Sequence, residues 1–152
     1  MSEIQTEFLF EMRLAVTGPF DCGSAGSGER RFAVVTGGRF EGPRLQGEVL
    51  NGGSDALLVQ PGGRTLLDVR AVLQTDDGAR IYVTYRGVRN GPAPVMARLA
   101  AGEAVDPAEY YFRTALFFET GDARYAWLND VVGVGTGRRE KTGPIYRVFA
   151  VR

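Results

Sequence analysis

The sequence predicts an all-β fold: a closed antiparallel β-barrel of about nine strands with one short helix. First, its 21 glycines are spread between short apolar runs, a pattern typical of strands separated by turns. Second, most of these runs alternate apolar and polar side chains, as in a strand with one buried face. Third, helical patterns are scarce. Closing so many strands into a ring removes exposed sheet edges, and 152 residues are enough for one domain over residues 1–152.

Nine segments carry the strand pattern, and turn residues separate them. Gly18-Pro19 ends the first segment, and the turns Pro61-Gly62-Gly63 and Asp76-Asp77-Gly78 join three later ones into a meander. Residues 92–102 predict the short helix, and Asp106-Pro107 is typical of a helix N-terminus. The predicted strands are residues 4–16, 31–36, 40–50, 55–60, 64–74, 80–87, 110–118, 124–134 and 144–151.

The composition excludes several kinds of catalytic site. The chain has no histidine and one cysteine, Cys22, which excludes histidine general bases, Ser-His-Asp triads and zinc sites built from nitrogen and sulfur ligands. Gly133, Gly135 and Gly137 resemble half of a dinucleotide fingerprint, but a strand pattern follows them where that motif needs a helix. We therefore expect no metal, flavin or nicotinamide cofactor.

The charge pattern argues against two classes of partner. The 18 basic and 18 acidic residues balance, so no net field attracts nucleic acid or a membrane surface. The apolar runs are shorter than the roughly 18 residues of a membrane-spanning helix, and the N-terminus lacks a signal-peptide pattern. We expect a soluble, cytoplasmic protein that binds a hydrophobic small molecule. The sequence leaves homo-oligomer formation open.

A barrel of this size has room for one small ligand, so we look for function inside it. The strand over residues 66–74 places Leu67, Val69 and Ala71 on one face and Asp68 and Arg70 on the other. If the polar face points to solvent, Asp68 and Arg70 are a routine surface pair. If it points inward, they form a partly buried carboxylate and guanidinium. We predict that both face the interior pocket together with at least one aromatic side chain.

Later segments supply candidates for the pocket walls. Tyr82 lies on the neighbouring strand, and Tyr111 and Trp127 belong to a concentration of aromatic residues in the last third of the chain. Glu119 lies at a predicted strand end, before a turn. Each also has a purely structural interpretation, which is core packing for the aromatics and a solvated turn for Glu119. A cavity lined by several of them would suit an aromatic or polycyclic ligand.

Three blocks of the sequence resemble the DUF3237 family, also called UPF0311. They are GGRFEGPRLQGEVLNGGSDALL (37–58), LLDVRAVLQTDDGARIYV (66–83) and EYYFRTALFFETGDARYAWLNDVVGVGTG (109–137), in the order found in the family. The resemblance implies a calycin-like antiparallel β-barrel. It implies less about function, because most members are uncharacterised and only some, in natural-product pathways, resemble cofactor-free cyclases that add a hydroxyl across a carbon–carbon double bond. The residues that fall on family motif positions are Arg44, Asp55, Asp68, Arg70, Glu119, Tyr125, Trp127 and Asn129.

The chain departs from the family next to one of these positions. Members usually have Asp-Trp where this chain has Asp55-Ala56. If that tryptophan lines the pocket, the pocket of this protein is larger or differently shaped. The substrate of another member therefore does not transfer directly to this chain.

We interpret the sequence as a cofactor-independent enzyme of the cyclase, isomerase or lyase type, acting on a hydrophobic, oxygenated aromatic or polyketide-like molecule. Such a reaction needs a positioned acid or base, a cation that stabilises an oxyanion, and a dry pocket. Asp68 would carry the proton, and Asp55 would relay it or orient the substrate. Arg44 or Arg70 would stabilise the oxyanion. The substrate-binding walls would include Tyr82, Tyr111, Glu119 and Trp127.

Two other interpretations stay open at this point. One is a noncatalytic carrier or sensor, which needs a ligand cavity but no carboxylate facing it. The other is a structural subunit with a filled core, which needs neither.

Overall fold

The computed structural model describes residues 3–152 and contains nine antiparallel strands in one closed sheet. This confirms the predicted all-β barrel with one short helix. The strands are β1 (Thr6–Ser24), β2 (Glu29–Glu41), β3 (Gln46–Val49), β4 (Gly53–Val59), β5 (Thr65–Thr75), β6 (Arg80–Asn90), β7 (Tyr111–Glu119), β8 (Val132–Glu140) and β9 (Gly143–Val151). The ring runs in the order β1-β9-β8-β7-β6-β5-β3-β2-β4, and β1 also pairs with β2 while β5 pairs with β4.

Short helical segments connect some of these strands. The α-helix, α1, spans Ala93–Ala100, within the segment predicted as helical. Single 3₁₀ turns cover Pro61–Gly63 and Pro107–Glu109, and the Asp106 side chain caps the second turn by accepting a hydrogen bond from the Ala108 N–H at 2.9 Å. No helix among residues 3–152 is long and apolar enough to cross a membrane.

The alternation of side chains fixes which strand face is inside. On β5, Leu67, Val69, Ala71 and Leu73 are each at most 3% exposed and join the core. The side chains between them face outward, because successive residues of a strand point to opposite faces. On β7 the inward residues are likewise buried. They are Phe112, Thr114, Leu116 and Phe118.

The three alternating glycines of β8 lie on its inner face, where they make room for β7. A Cβ added at Gly137 would lie 2.8 Å from ring atoms of Phe112, and one added at Gly135 would collide with Oγ1 of Thr114. The alternating glycines therefore allow β8 to pack against β7, because the bulky inward side chains of β7 leave no room for a Cβ on β8.

One predicted strand is wrong. Over most of residues 124–134 the chain forms a 3₁₀ helix, Ala123–Asp130, and β8 begins only at Val132. The Asp122 side chain accepts a hydrogen bond from the Arg124 N–H at 2.9 Å and starts the helix. Tyr125 and Leu128 are its buried residues, and their spacing of three is the 3₁₀ repeat.

Two other boundaries differ from the prediction. β1 continues past Gly18-Pro19 to Ser24, with register shifts against β2 on either side of this dipeptide. β2 runs through Gly37-Gly38 to Glu41, so the predicted strand over residues 40–50 is divided between the end of β2 and the short β3. Glycine pairs and Gly-Pro therefore mark irregularities within long strands here, as well as turns.

Candidate functional site

One end of the barrel holds a cavity of about 180 Å³ between the inner faces of the strands, and the cavity opens to solvent beside exposed lining residues such as Gly18, Pro19 and Arg139. α1 contributes Leu99 and Ala100 to its lining, next to apolar residues of β1, β2, β4, β5 and β7. The polar and ionisable side chains in the lining are Arg31, Asp55, Thr65, Arg89, Arg139 and Tyr146. The cavity therefore joins an apolar wall to a small set of charged groups, which is the usual make-up of a ligand site.

Asp55 is the one carboxylate among the described lining residues, and an interruption in the sheet helps to hold it. The β4–β5 ladder pairs Asp55 with Val69 and next pairs Leu58 with Leu66, with no pair between. In this gap the Asp68 N–H donates to Oδ1 of Asp55 at 3.1 Å. The carboxylate is thus fixed at the edge of the cavity by one backbone hydrogen bond.

The environment of Asp55 favours its neutral form. Burial raises the pKa of this carboxyl from 3.8 to about 6, although the hydrogen bond from the Asp68 N–H and the positive charge of Arg89 act to lower it. A carboxyl with a pKa near 6 exchanges its proton close to neutral pH, as a general acid or base requires.

Arg89 faces the same cavity from β6, where its guanidinium lies 5.5 Å from the centroid of the Phe112 ring but lacks hydrogen-bond partners. Its Nε and Nη1 atoms are buried and form no hydrogen bond with any described residue. In the described part of the chain, no salt bridge within 4.0 Å joins Arg89 to Asp55, although both side chains line the cavity. Burial and the charge of Arg139 lower the Arg89 pKa to about 10, so the group stays protonated at neutral pH.

Tyr146 and Arg139 complete the polar side of the cavity, and buried Tyr85 contacts Tyr146. The rings of Tyr85 and Tyr146 meet edge to face at 5.2 Å, and the Tyr85 hydroxyl has no hydrogen-bond partner among the described residues. Burial raises both tyrosine pKa values well above the ordinary 10, so both stay neutral hydroxyl donors. The backbone N–H of Arg139 donates to the Tyr110 hydroxyl at 2.9 Å, and this hydrogen bond fixes the backbone of Arg139 at the barrel end.

The prediction that Asp68 and Arg70 face the interior is wrong. Leu67, Val69 and Ala71 line the lumen, which places Asp68 and Arg70 on the outer face of β5. There Arg70 Nη1 donates to the hydroxyl of Tyr82 at 2.9 Å, so Tyr82 is also outside. The physical reason is that burying four aliphatic side chains lowers the free energy more than pairing the two charges does. The aliphatic face of β5 therefore packs in the core.

The remaining predicted site residues also lie outside the cavity. Arg44 stacks over the Trp127 ring, 3.7 Å from its centroid, and approaches Glu7 at 3.7 Å. Tyr111 is 55% exposed on the outer face of β7, and Glu119 is exposed at the end of the same strand. Of the eight predicted site residues, the structure brings Asp55 alone to the interior cavity.

Ala56 does not widen this cavity. Neighbours on a strand point to opposite faces, and Asp55, Leu57 and Val59 line the cavity while Ala56 does not. The position where the resemblance implies a tryptophan therefore lies on the outer surface of β4.

Sequence reasoning missed Arg31, Arg89, Arg139 and Tyr146. A signal for Arg89 was present, because the apolar face formed by Ile81, Val83 and Tyr85 continues by the period of two through Gly87 to Arg89. An arginine on a face that is otherwise apolar indicates a buried charge. By the same period, Arg31 continues the inner face of Ala33 and Val35, and Arg139 continues the glycine face of β8, but both lie near strand ends, where this signal is weaker.

A wider groove of about 800 Å³ lies on the outside of the barrel. Apolar side chains such as Val88 and Val134 line it together with Arg86 and Arg113, and no carboxylate is among its described lining residues. Tyr111 also lines this groove, which therefore offers no carboxylate for proton transfer. Among residues 3–152, no group of three or more His, Cys, Asp or Glu side chains could hold a metal ion.

Comparisons with known proteins agree with this architecture. The DUF3237 family model, described as a protein of unknown function, matches residues 4–151. A UPF0311 protein of Rhodopseudomonas palustris is 35% identical over 148 residues, which cover 97% of each chain. Its crystal structure matches with a TM-score of 0.94 at 32% identity over 100% of both chains. A β-barrel-like protein of Acinetobacter baumannii matches with a TM-score of 0.87 at 38% identity, over 100% of this chain and 98% of that one.

A more distant relative carries the name of an activity. The hydroalkoxylation enzyme phnH of Penicillium herquei is 28% identical over 131 residues, which cover 86% of this chain and 72% of the enzyme. The crystal structure of an enzyme from Penicillium herquei matches with a TM-score of 0.76 at 24% identity, over 100% of this chain and 97% of that one. At that identity the structural likeness shows the fold alone.

Proposed function

This chain belongs to the DUF3237 family, and on that premise we propose that it is a cofactor-independent enzyme that transfers protons on an oxygenated small molecule inside the barrel. The observation that carries the proposal is the interior cavity itself, which Asp55, with a pKa of about 6, shares with Arg89, whose buried Nε and Nη1 atoms have no hydrogen-bond partner among the described residues. A proton carrier and a cation for an oxyanion are the two groups that such a reaction requires.

The reaction that fits these groups is the addition of a substrate hydroxyl to a carbon–carbon double bond conjugated to a carbonyl. The Asp55 carboxylate takes the hydroxyl proton while the new C–O bond forms. The π electrons move onto the carbonyl oxygen, and Arg89 and Arg139 stabilise the resulting enolate. Protonated Asp55 then returns the proton to the α-carbon as the carbonyl re-forms. All substrate atoms remain in the product, so no oxidant, reductant or cofactor enters.

The same groups serve related reactions. Run in reverse, the addition is an elimination, and transfer of the proton without C–O bond formation is an isomerisation. The activity in the name of phnH, at 28% identity, supports addition of a hydroxyl over the other two. Asp55 replaces Asp68 as the proton carrier in this proposal, because the Asp68 side chain lies on the outer face of β5.

The test uses 7-hydroxyhept-3-en-2-one, a small neutral enone that closes to an oxolane. Loss of its ultraviolet absorbance follows the reaction. We expect the wild-type protein to accelerate closure over buffer, and Asp55→Asn to lower the rate by about 10²–10⁴-fold, the usual size of a general acid–base contribution.

Two further carboxylate variants act as controls in this assay. Glu119→Gln neutralises an exposed carboxylate outside the cavity and should keep the wild-type rate. Asp68→Asn keeps the backbone N–H that contacts Asp55, so it should change the rate far less than Asp55→Asn. Thermal melting confirms that each variant is folded. Binding of the enone without acceleration would favour the carrier, and an undiminished rate in Asp55→Asn would remove this residue from the mechanism.

A further inference from the structure

The cavity holds more positive than negative charge. Three arginines line it, Arg31, Arg89 and Arg139, against the single carboxylate of Asp55. Arg31 Nη2 is paired with Glu29 at 2.9 Å, which leaves Arg89 and Arg139 with Asp55 as their shared counter-charge. A neutral Asp55 leaves the buried guanidinium of Arg89 without a counter-charge in the cavity, whereas Arg139 lines the cavity from a solvent-exposed position.

Arg89 gives the most direct indication that the cavity binds a ligand. A buried guanidinium without hydrogen bonds is costly, because its donors have lost water and gained nothing in exchange. Carboxylates and other oxyanions satisfy a guanidinium best, through charge-assisted and often paired hydrogen bonds. The unpartnered atoms of Arg89 therefore indicate an anionic ligand more than a neutral one.

The volume of the cavity limits the size of that ligand. An apolar protein cavity of about 150 Å³ binds benzene, and this one measures about 180 Å³. The space matches one six-membered ring with a small substituent. A polycyclic ligand exceeds this volume and would have to extend out of the cavity.

We propose that the cavity binds a one-ring oxyanion, a carboxylate or an enolate, held by Arg89 and Arg139 beside Asp55. This inference rests on the proposed function because it concerns the same cavity. It concerns only the charge and binding of the ligand, and not its chemical conversion.

A consequence for pH follows from the groups that face the ligand. These are Asp55 from β4, Arg31 from β2, Arg89 from β6, Arg139 from β8 and Tyr146 from β9. Arg89 and Tyr146 keep their protonation states around neutral pH, whereas Asp55 becomes negative as the pH rises. Because an anionic ligand is repelled by ionised Asp55, its affinity should fall as the pH rises through about 6.

Calorimetric titration of the wild-type protein with benzoate, benzamide and 2-naphthoate tests the proposal. Benzoate and benzamide have the same shape and differ in charge, and 2-naphthoate adds a second ring. We expect benzoate to bind about tenfold or more tightly than either of the others. We also expect Asp55→Asn to bind benzoate more tightly than wild type above pH 6, where it removes the repelling charge.

Arg89→Met and Arg86→Met form a matched pair for the arginine. Both lie on β6, but Arg89 faces the cavity and Arg86 is exposed on the outer face. Arg89→Met should weaken benzoate binding by about tenfold or more, and Arg86→Met should leave it unchanged. Arg139→Met gives a second cavity variant if Arg89→Met melts early.

Equal binding of benzoate and benzamide, or full affinity in the Arg89 and Arg139 variants, would overturn the proposal. Tight binding of 2-naphthoate would overturn the size limit. Benzoate carries no reacting group, so its binding does not depend on turnover. If benzoate binds as expected and 7-hydroxyhept-3-en-2-one is not closed, the proposed function fails while the oxyanion site stands.

Discussion

Asp55 holds its negative charge in the folded protein at a cost in stability. It accepts one backbone hydrogen bond, from Asp68, and forms no ion pair with another described residue. The remaining surroundings are the cavity and its apolar wall. A carboxylate in such a place loses more hydration than it regains, which is why its pKa rises to about 6.

This cost predicts a stabilising variant. The folded state binds a proton at Asp55 more tightly than the unfolded state does, so stability should decline as the pH rises from about 4 to about 6 and the loss should be complete above that. Asp55→Asn carries no negative charge at this position and therefore avoids this loss of stability. We expect it to be more stable than wild type at pH 8 by up to about 3 kcal/mol, with the difference vanishing near pH 4.

Urea unfolding at pH 8 and pH 4.5 measures this difference. Glu119→Gln, which removes an exposed carboxylate, should have the same free energy of unfolding as the wild type at both pH values. An Asp55→Asn protein that is less stable than wild type at pH 8 would mean that attraction to Arg89 outweighs desolvation. That result would contradict the charge balance described for the cavity.

At the level of single residues, the sequence predicted part of the site. Asp55 was a candidate because it falls on a family motif position. Alternation alone divides β5 into two faces without saying which is inside, and this is why Asp68 and Arg70 were placed wrongly. The stack of Arg44 on Trp127 depends on two segments far apart in the chain, and no local pattern predicts such a contact.

Among the elements, β7 and β8 show how the barrel wall is packed. The inward aromatic rings of β7 lie against a row of inward glycines on β8, and the Gly137 position contacts the Phe112 ring. Phe112 in turn lines the cavity and meets Tyr146 edge to face at 5.5 Å. The glycine row therefore sets the position of one cavity wall.

Gly137→Ala tests this packing. The added Cβ would meet Phe112 ring atoms at 2.8 Å, too close for an ordinary contact, so the ring or the strand must move. We expect a loss of about 1–3 kcal/mol in the free energy of unfolding, as for overpacked cores. Gly121→Ala is the control, because a Cβ there meets nothing within 4 Å. Equal stability of the two variants in urea would show that β8 does not need its inward glycines.

The element count was predictable, whereas several element types and boundaries were not. Turn residues and alternation indicated about nine strands and one helix, and the structure has both. The segment Ala123–Asp130 alternates like a strand at Tyr125 and Trp127. Its 3₁₀ form depends on Asp122 at its start and on the bond from the Tyr125 hydroxyl to Oδ2 of Asp77, 2.8 Å long. Asp77 lies 48 residues away in sequence, so local patterns do not include this partner.

At the scale of the whole molecule, the candidate site exists only because the barrel closes. Its charged groups come from four strands, with Arg31 on β2, Asp55 on β4, Arg89 on β6 and Arg139 on β8. β1 completes the ring by pairing with both β2 and β9. The raised pKa of Asp55 is therefore a property of the closed barrel, and the same residue in the unfolded chain should titrate like any aspartate.

The most direct test of the account is a carbon-13 NMR titration of the Asp55 carboxyl, assigned by comparison with Asp55→Asn. In the folded protein we expect a midpoint of about 6, and in urea a midpoint near the ordinary aspartate value of about 3.9. A folded midpoint near 4 would mean that Asp55 is well solvated or firmly paired. The interior cavity would then lack the proton carrier on which the proposed function depends.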